Sequence, residues 1–425
     1  MRRRGSIALV AVALVTLACG QARTSGEPLP TPEASGTPIP SLASGPSATA
    51  DPATTASDSP RPEHGTWQAA APMTRERYGF DAVALGDGTV LAVGSDWGCQ
   101  PGGAVAGSET AEVYDPAADT WSEIASLNKP RKEPATVVLS DGTALVIGGL
   151  NSEDVAFSST KILDPRSRAW TDGPLLEYAR LQPRAVHLDD GRVLVVSATG
   201  GEYDATAELS DGGRTRWSSV RSLPARFTVQ DLVALDHGRA LAVIIHHRDS
   251  DPAPVTSIYD AERDTWTEGE GLARFDATYL TLPDGSVLAI GGAGGGELWN
   301  DTRAVVEDVA RFDPATGRWT PVAPLVTPRR GTQAAVLANG TVLVAGGTSV
   351  GSSGERRTLR STELYDPETD AWSPAGDLLE PRYDAQMVAL DDGSALILGG
   401  TAEHNVDGDT PFCPQPLTTT ERFRP

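Results

Sequence analysis

From residue 66 onward the chain consists of short apolar runs cut by turn dipeptides. Val83-Ala84-Leu85 and Val90-Leu91-Ala92-Val93 flank Asp87-Gly88, and the same arrangement surrounds Asp141-Gly142, Asp190-Gly191, His237-Gly238, Asp284-Gly285, Asn339-Gly340 and Asp392-Gly393. Such a pair between β-rich runs predicts a tight hairpin, because Gly, Asn and Asp tolerate the left-handed backbone that these turns require. A second signal shares the period. Trp67, Trp121, Trp170, Trp217, Trp266, Trp319 and Trp372 recur every 47 to 54 residues, and six positions after each stands a large apolar residue: Met73, Leu127, Leu176, Leu223, Leu272, Leu325 or Leu378. Seven positions before each Trp from the second onward stands Tyr114, Leu163, Ser210, Tyr259, Phe312 or Tyr365, followed by Asp-Pro or Asp alone. A period near 50 with this content predicts four strands per unit and seven units, an all-β chain without long helices.

The Asp-Gly turn, the apolar run ending in Gly148-Gly149, Gly291-Gly292, Gly346-Gly347 or Gly399-Gly400, the Tyr-Asp-Pro and the Trp together resemble kelch repeats over roughly residues 67 to 425. Blades 1, 3 and 4 depart at the glycine pair, with Gly94-Ser95, Ser197-Ala198 and Ile244-Ile245. The resemblance implies a seven-bladed β-propeller with four-stranded blades and the galactose-oxidase type of central domain. Closure is legible too. The chain ends at Phe423-Arg424-Pro425, in the Tyr-Asp-Pro position of the seventh unit with no Trp strand after it, while Trp67 opens a strand with no unit before it. Trp67 to Met73 should therefore pair with Thr418 to Phe423 and remove the open edges.

Alternation of strand direction sorts the connections onto two faces, with the turn into each first strand and the loop from second to third strand on the upper one. An arginine stands at each of those turns: Arg77, Arg131, Arg180, Arg274, Arg329 and Arg382 lie eight residues before the Leu that precedes the hairpin, and Arg226 lies nine before it. In kelch propellers similar arginines often face the ligand pocket, and a ring of planar fork donors suits a carboxylate, a sulfate or an acidic peptide. The other reading is that each pairs with an acidic residue or carbonyl of a neighbouring blade. The units of blades 5, 6, 7 and 1 are longer, mostly through the loops Ala293 to Asp308, Thr348 to Arg360, Thr401 to Leu417 and Asp96 to Thr110. Those loops hold Trp97 and Trp299, which could stack on a sugar, clamp a peptide or pack their own loop. Cys99 and Cys413 fall in the loops of adjacent blades across the closure seam, where a disulfide is expected.

The expected function is non-catalytic recognition of an extracellular protein, acidic peptide or glycan, by a monomer without a cofactor. The alternative is a carbohydrate-active enzyme. A copper oxidase of the galactose-oxidase kind would need imidazoles near the axis, and of the six His only His246, His247 and His404 fall in upper loops. A sialidase-like hydrolase would bring a Ser-x-Asp-x-Gly-x-Thr-Trp box, of which Ser210-Asp211-Gly212 before Trp217 is a partial echo. Asn405, Asp407 and Asp409 could offer calcium oxygen ligands, though a solvated acidic loop accounts for them, and no metal is assigned.

Composition changes this picture at two points. The formal charge of −22 argues against a nucleic-acid partner. The N-terminus carries Arg2-Arg3-Arg4, an apolar run from Ile7 to Leu17 too short to span a bilayer, and Thr16-Leu17-Ala18-Cys19, which resembles a bacterial lipobox with Cys19 as the acylated residue. Residues 1–19 thus read as a lipoprotein signal peptide and 20–65, rich in Pro, Ser, Thr and Ala, as a disordered stalk. Residues 66–425 form the propeller, exported and held outside the bacterial membrane by the N-terminal lipid alone. Acylation of Cys19 leaves Cys99 and Cys413 as an even pair.

Overall fold

The computed structural model describes residues 65–94, 108–151, 153, 155–197, 206–212, 215–223, 227–246, 254–272, 274–294, 304–350, 355–402 and 415–425. These residues form seven four-stranded antiparallel sheets and two short hairpins. Blade 1 shows the plan: Phe80–Ala84 innermost, then Val90–Gly94, Ala111–Asp115 and Thr120–Glu123, each paired with the next. The inner strands, Phe80–Ala84, Ala135–Val138, Pro183–His187, Phe227–Leu235, Thr278–Thr281, Gln333–Val336 and Gln386–Ala389, neighbour one another in a closed ring around a central channel. The chain is a seven-bladed β-propeller.

The second strand of each blade explains the continuous apolar runs of the sequence. Val90–Gly94, Ala144–Ile147, Val287–Ile290, Val342–Ala345 and Ala395–Leu398 are buried at every position, because strands flank both edges and neighbouring blades cover both faces. The core is accordingly seven clusters, one per blade interface; between blades 7 and 1, for example, Leu396 and Leu398 pack with Phe80, Tyr114 and Trp121. The recurrent Trp stands directly across from the aromatic seven positions earlier, as in Tyr114 with Trp121 at 5.2 Å and Tyr365 with Trp372 at 4.9 Å between ring centroids.

Closure follows the expected register. Thr66–Ala70 pairs with Thr420–Arg424, placing Trp67 opposite Phe423 with ring centroids 5.2 Å apart, and Met73 N–H donates to Thr418 O. Arg226 lies nine rather than eight residues from its landmark because blade 4 carries a β-bulge between Val229 and Asp231, which absorbs the extra residue.

Six of the seven recurrent indole N–H groups follow two patterns, while Trp67 donates to Thr362 Oγ1. Trp170, Trp266 and Trp372 donate to Ala125 O, Arg221 O and Ala323 O of the preceding blade. Elsewhere a third-strand threonine takes the equivalent carbonyl: Thr160 bonds Pro174 O, Thr256 bonds Glu270 O and Thr420 bonds Ala71 O. Trp217, Trp319 and Trp121 of the following blades are then left with buried, unpaired N–H groups.

Candidate functional site

The upper face is built on a repeated arginine strut. Arg77, Arg131, Arg180, Arg329 and Arg382 are 0 or 1% exposed. In four of these blades the partner is a glutamate from the third strand: Arg77 with Glu112 at 2.8 Å, Arg180 with Glu208 at 2.7 Å, Arg329 with Glu363 at 2.7 Å and Arg382 with Glu421 at 3.0 Å. The same carboxylate accepts backbone N–H groups from the turn that crosses from one blade to the next. Glu363 takes those of Val326 and Thr327, and Glu421 those of Leu379 and Glu380. Each strut thus satisfies a buried charge and fixes a surface turn in one stroke.

The strut also explains the glycine pairs. Arg131, Arg329 and Arg382 donate to the carbonyls of Gly148, Gly346 and Gly399, each 17 residues on. The second glycine then donates its N–H to the arginine carbonyl of the next blade: Gly149 to Arg180, Gly292 to Arg329, Gly347 to Arg382 and Gly400 to Arg77. Gly346 has φ of 65°, and a Cβ there would stand 2.5 Å from Arg382 O, so only glycine lets the two chains approach.

Two residues past each strut the chain bends into the channel mouth. Gly79, Glu133, Gln182, Asp276, Gly331 and Asp384 all sit at φ between 44° and 58°. The four that are not glycine accept a strained conformation, costing roughly 1 kcal/mol each. They form a polar rim. Tyr78 Oη donates to Asp384 Oδ2 at 2.7 Å, Gln182 Nε2 donates to Glu133, and Arg330 stands 3.6 Å from Asp276. Burial pushes the Asp384 carboxyl up to about 6, opposed by the Tyr78 hydrogen bond and reinforced by Asp276 and Glu133. Deeper in the channel, burial likewise holds Asp81 and Asp231 at about 6. Arg184 Nε bonds Gln230 O and Gln386 Nε2 bonds Phe80 O, lacing neighbouring inner strands together. Such a rim offers mixed hydrogen-bond donors and acceptors on a rigid frame.

The profile of the Kelch motif matches residues 329–379, from the strut arginine of blade 6 past its Trp372 to the buried Leu378 and the exposed Leu379. That span is one repeat of the seven. The chain is a seven-bladed β-propeller whose sixth blade matches the Kelch motif. An F-box/kelch-repeat protein of Arabidopsis thaliana is 32% identical over 127 residues, covering 30% of this chain and 31% of the relative. Kelch-like protein 35 of Mus musculus is 29% identical over 168 residues, 39% of this chain and 26% of that one. The chain spans about a third or less of the length of these curated relatives. Among solved structures, a fungal alcohol oxidase of the AA5 family, in complex with copper, superposes with a TM-score of 0.63 and 16% identity, covering 85% of this chain and 76% of that one. This likeness is one of fold.

Within the ring, the sequence-predicted arginines divide. Arg77, Arg131, Arg180, Arg329 and Arg382 are brought together around the channel, but as buried struts with both Nη groups engaged. Arg274 is half-buried and has no carboxylate partner among the described residues; Ala310 occupies the glutamate position, and Nη1 donates to Asp308 O at 2.6 Å. Arg226, Trp97, Trp299, Cys19, Cys99, Cys413, His247, His404, Asn405, Asp407 and Asp409 lie outside the described residues. What the sequence reading passed over is the glutamate of the strut. The signal was available: Glu stands two positions before Tyr114, Ser210, Tyr365 and Phe423, and the repeat fails only in blades 2, 4 and 5, with Lys161, Ser257 and Ala310.

Proposed function

We propose that this kelch propeller is a non-catalytic recognition module, exported and lipid-anchored through Cys19, whose upper face binds a protein or glycan outside the membrane. A propeller of this family is typically a protein-interaction module. The observation that carries the reading is the division of labour on the upper face: in blades 1, 3, 6 and 7 the struts lock the base of the crossover turn, while the sequence puts its longest connections in blades 5, 6, 7 and 1. Trp97 and Trp299 on those loops are the proposed anchors, and Arg274, without a carboxylate among the described residues, is the proposed ring arginine. Cys99 and Cys413 are proposed to tie the loops of blades 1 and 7. The copper is a property of the fungal oxidase; among the described residues of this chain, no group of three His, Cys, Asp or Glu could hold a metal.

The test is a glycan, cell-wall and peptide binding array with the full chain carrying Cys19→Ala, so that it is released rather than acylated. Binding that falls with Trp97→Ala plus Trp299→Ala supports the reading. Absence of any ligand, or turnover of an arrayed sugar, overturns it. Fractionation of cells expressing the unsubstituted chain should place it in the membrane fraction, and the Cys19→Ala chain in the soluble exported fraction.

A further inference from the structure

Blade 2 inverts the strut. Where blades 1, 3, 6 and 7 place Glu112, Glu208, Glu363 and Glu421, blade 2 places Lys161. Lys161 is buried, lies opposite Asp172 on the outer strand and pairs with it at 2.6 Å. Arg131 therefore has no carboxylate of its own among the described residues. Its donors reach Gly148 O, Ser159 O and Ser159 Oγ, and Nε has no acceptor. Burial pulls the Arg131 guanidinium down to about 10, with Asp172 the opposing influence. Lys129, exposed in the crossover turn, stands over the Phe157 ring at 5.6 Å, and Arg131 stacks on the same ring at 4.9 Å. The Asp172 carboxyl is held below its ordinary range first by Lys161, with Arg131 and Lys129 adding to it.

Lys161 thus pairs with Asp172, whose side chain is 81% exposed, while Lys129 and Arg131 flank the same Phe157 ring. Val155, two residues before Phe157, is 54% exposed and adds apolar surface beside the charges. In a chain of formal charge −22 this surplus is local, and the fold does not require it, because four sister blades solve the same packing problem with glutamate.

We propose that the upper face of blade 2 binds a carboxylate within an acidic, partly apolar peptide segment of a partner protein, the acid beside Lys129, Lys161 and Asp172 and an apolar side chain against Val155 and Phe157. A second carboxylate balances the cation surplus, and the apolar rim favours a peptide over a sulfated sugar. This rests on the recognition reading above and names the chemistry of one subsite.

The experiment uses the released full chain and a fluorescein-labelled peptide of alternating Glu and Leu, followed by anisotropy in low and high salt, with an alternating Gln and Leu peptide as control. The Glu peptide should bind, and binding should weaken as salt is raised. Lys161→Glu installs the glutamate of the sister blades, so it should raise the melting temperature while weakening the peptide about tenfold. Lys129→Ala should weaken binding about fivefold without moving the melting temperature. Unchanged binding in both variants, equal binding of the Gln peptide, or binding of a sulfated oligosaccharide but not the peptide overturns the proposal. If array ligands bind through Trp97 and Trp299 while the Glu peptide does not, the subsite fails and the recognition reading stands.

Discussion

The strut of blade 6 gives the sharpest test of what holds this ring together. Glu363→Ala removes the carboxylate that accepts Arg329 Nη2 at 2.7 Å, Val326 N–H at 2.7 Å and Thr327 N–H at 3.1 Å. Arg329 is 0% exposed, so its guanidinium cannot recover hydration without opening the blade. Stranding a buried charge costs roughly 3–5 kcal/mol, and the two turn N–H groups add little because water reaches that turn. Taking about 4 kcal/mol, and a melting entropy that grows with chain length, the melting temperature should fall by about 6 °C in a thermal scan at neutral pH. The control is Glu123→Ala, whose pair with Arg75 leaves both side chains about half exposed (51% and 50%) and should leave the melting temperature unchanged. Arg329→Met with Glu363→Leu should recover most of the loss, since an apolar pair of similar volume carries no desolvation penalty. Equal shifts for Glu363→Ala and Glu123→Ala would refute the strut as a stability element.

Three further outcomes follow from the same geometry. Asp81, Asp231 and Asp384 sit at about 6 in the folded chain, above their unfolded value, so the stability they contribute is full below about pH 4 and lost as pH rises through 6. Lowering pH from 7.5 to 5 should therefore stabilise the propeller by about 1.4 kcal/mol per group, and Asp384→Asn should flatten the melting curve's pH dependence; a midpoint that falls steadily over that range contradicts the burial argument. Trp372→Phe deletes a 2.8 Å bond to Ala323 O and should cost about 1 kcal/mol more in urea than Trp319→Phe, whose N–H is already unpaired. Gly346→Ala should destabilise well beyond Gly317→Ala: both have positive φ, but a Cβ at 346 meets Arg382 O at 2.5 Å whereas at 317 it meets nothing within 4 Å. Similar urea midpoints for the two would mean that the backbone yields there at little cost.

What the sequence determined by itself was everything set by local repetition. The Asp-Gly hairpins, the Trp opposite its aromatic and the apolar second strands each depend on residues within one blade, their recurrence counts seven units, and the closing pair repeats the same Trp-to-aromatic register with Trp67 and Phe423. Tertiary structure decided the roles of the charges. An arginine at a repeated position looks the same in sequence whether it faces a ligand or a neighbour's carbonyl; which of these holds depends on burial and on a glutamate some 30 to 40 residues away. Only the assembled blades show that Arg77, Arg180, Arg329 and Arg382 are neutralised inside the ring while Arg131 is not. Lys161 for Glu is one letter in a repeat, and its meaning as a charge surplus appears only when Lys129, Arg131 and Asp172, distant along the chain, are brought around it. Periodicity is a property of the strand, whereas electrostatic balance is a property of the space between strands.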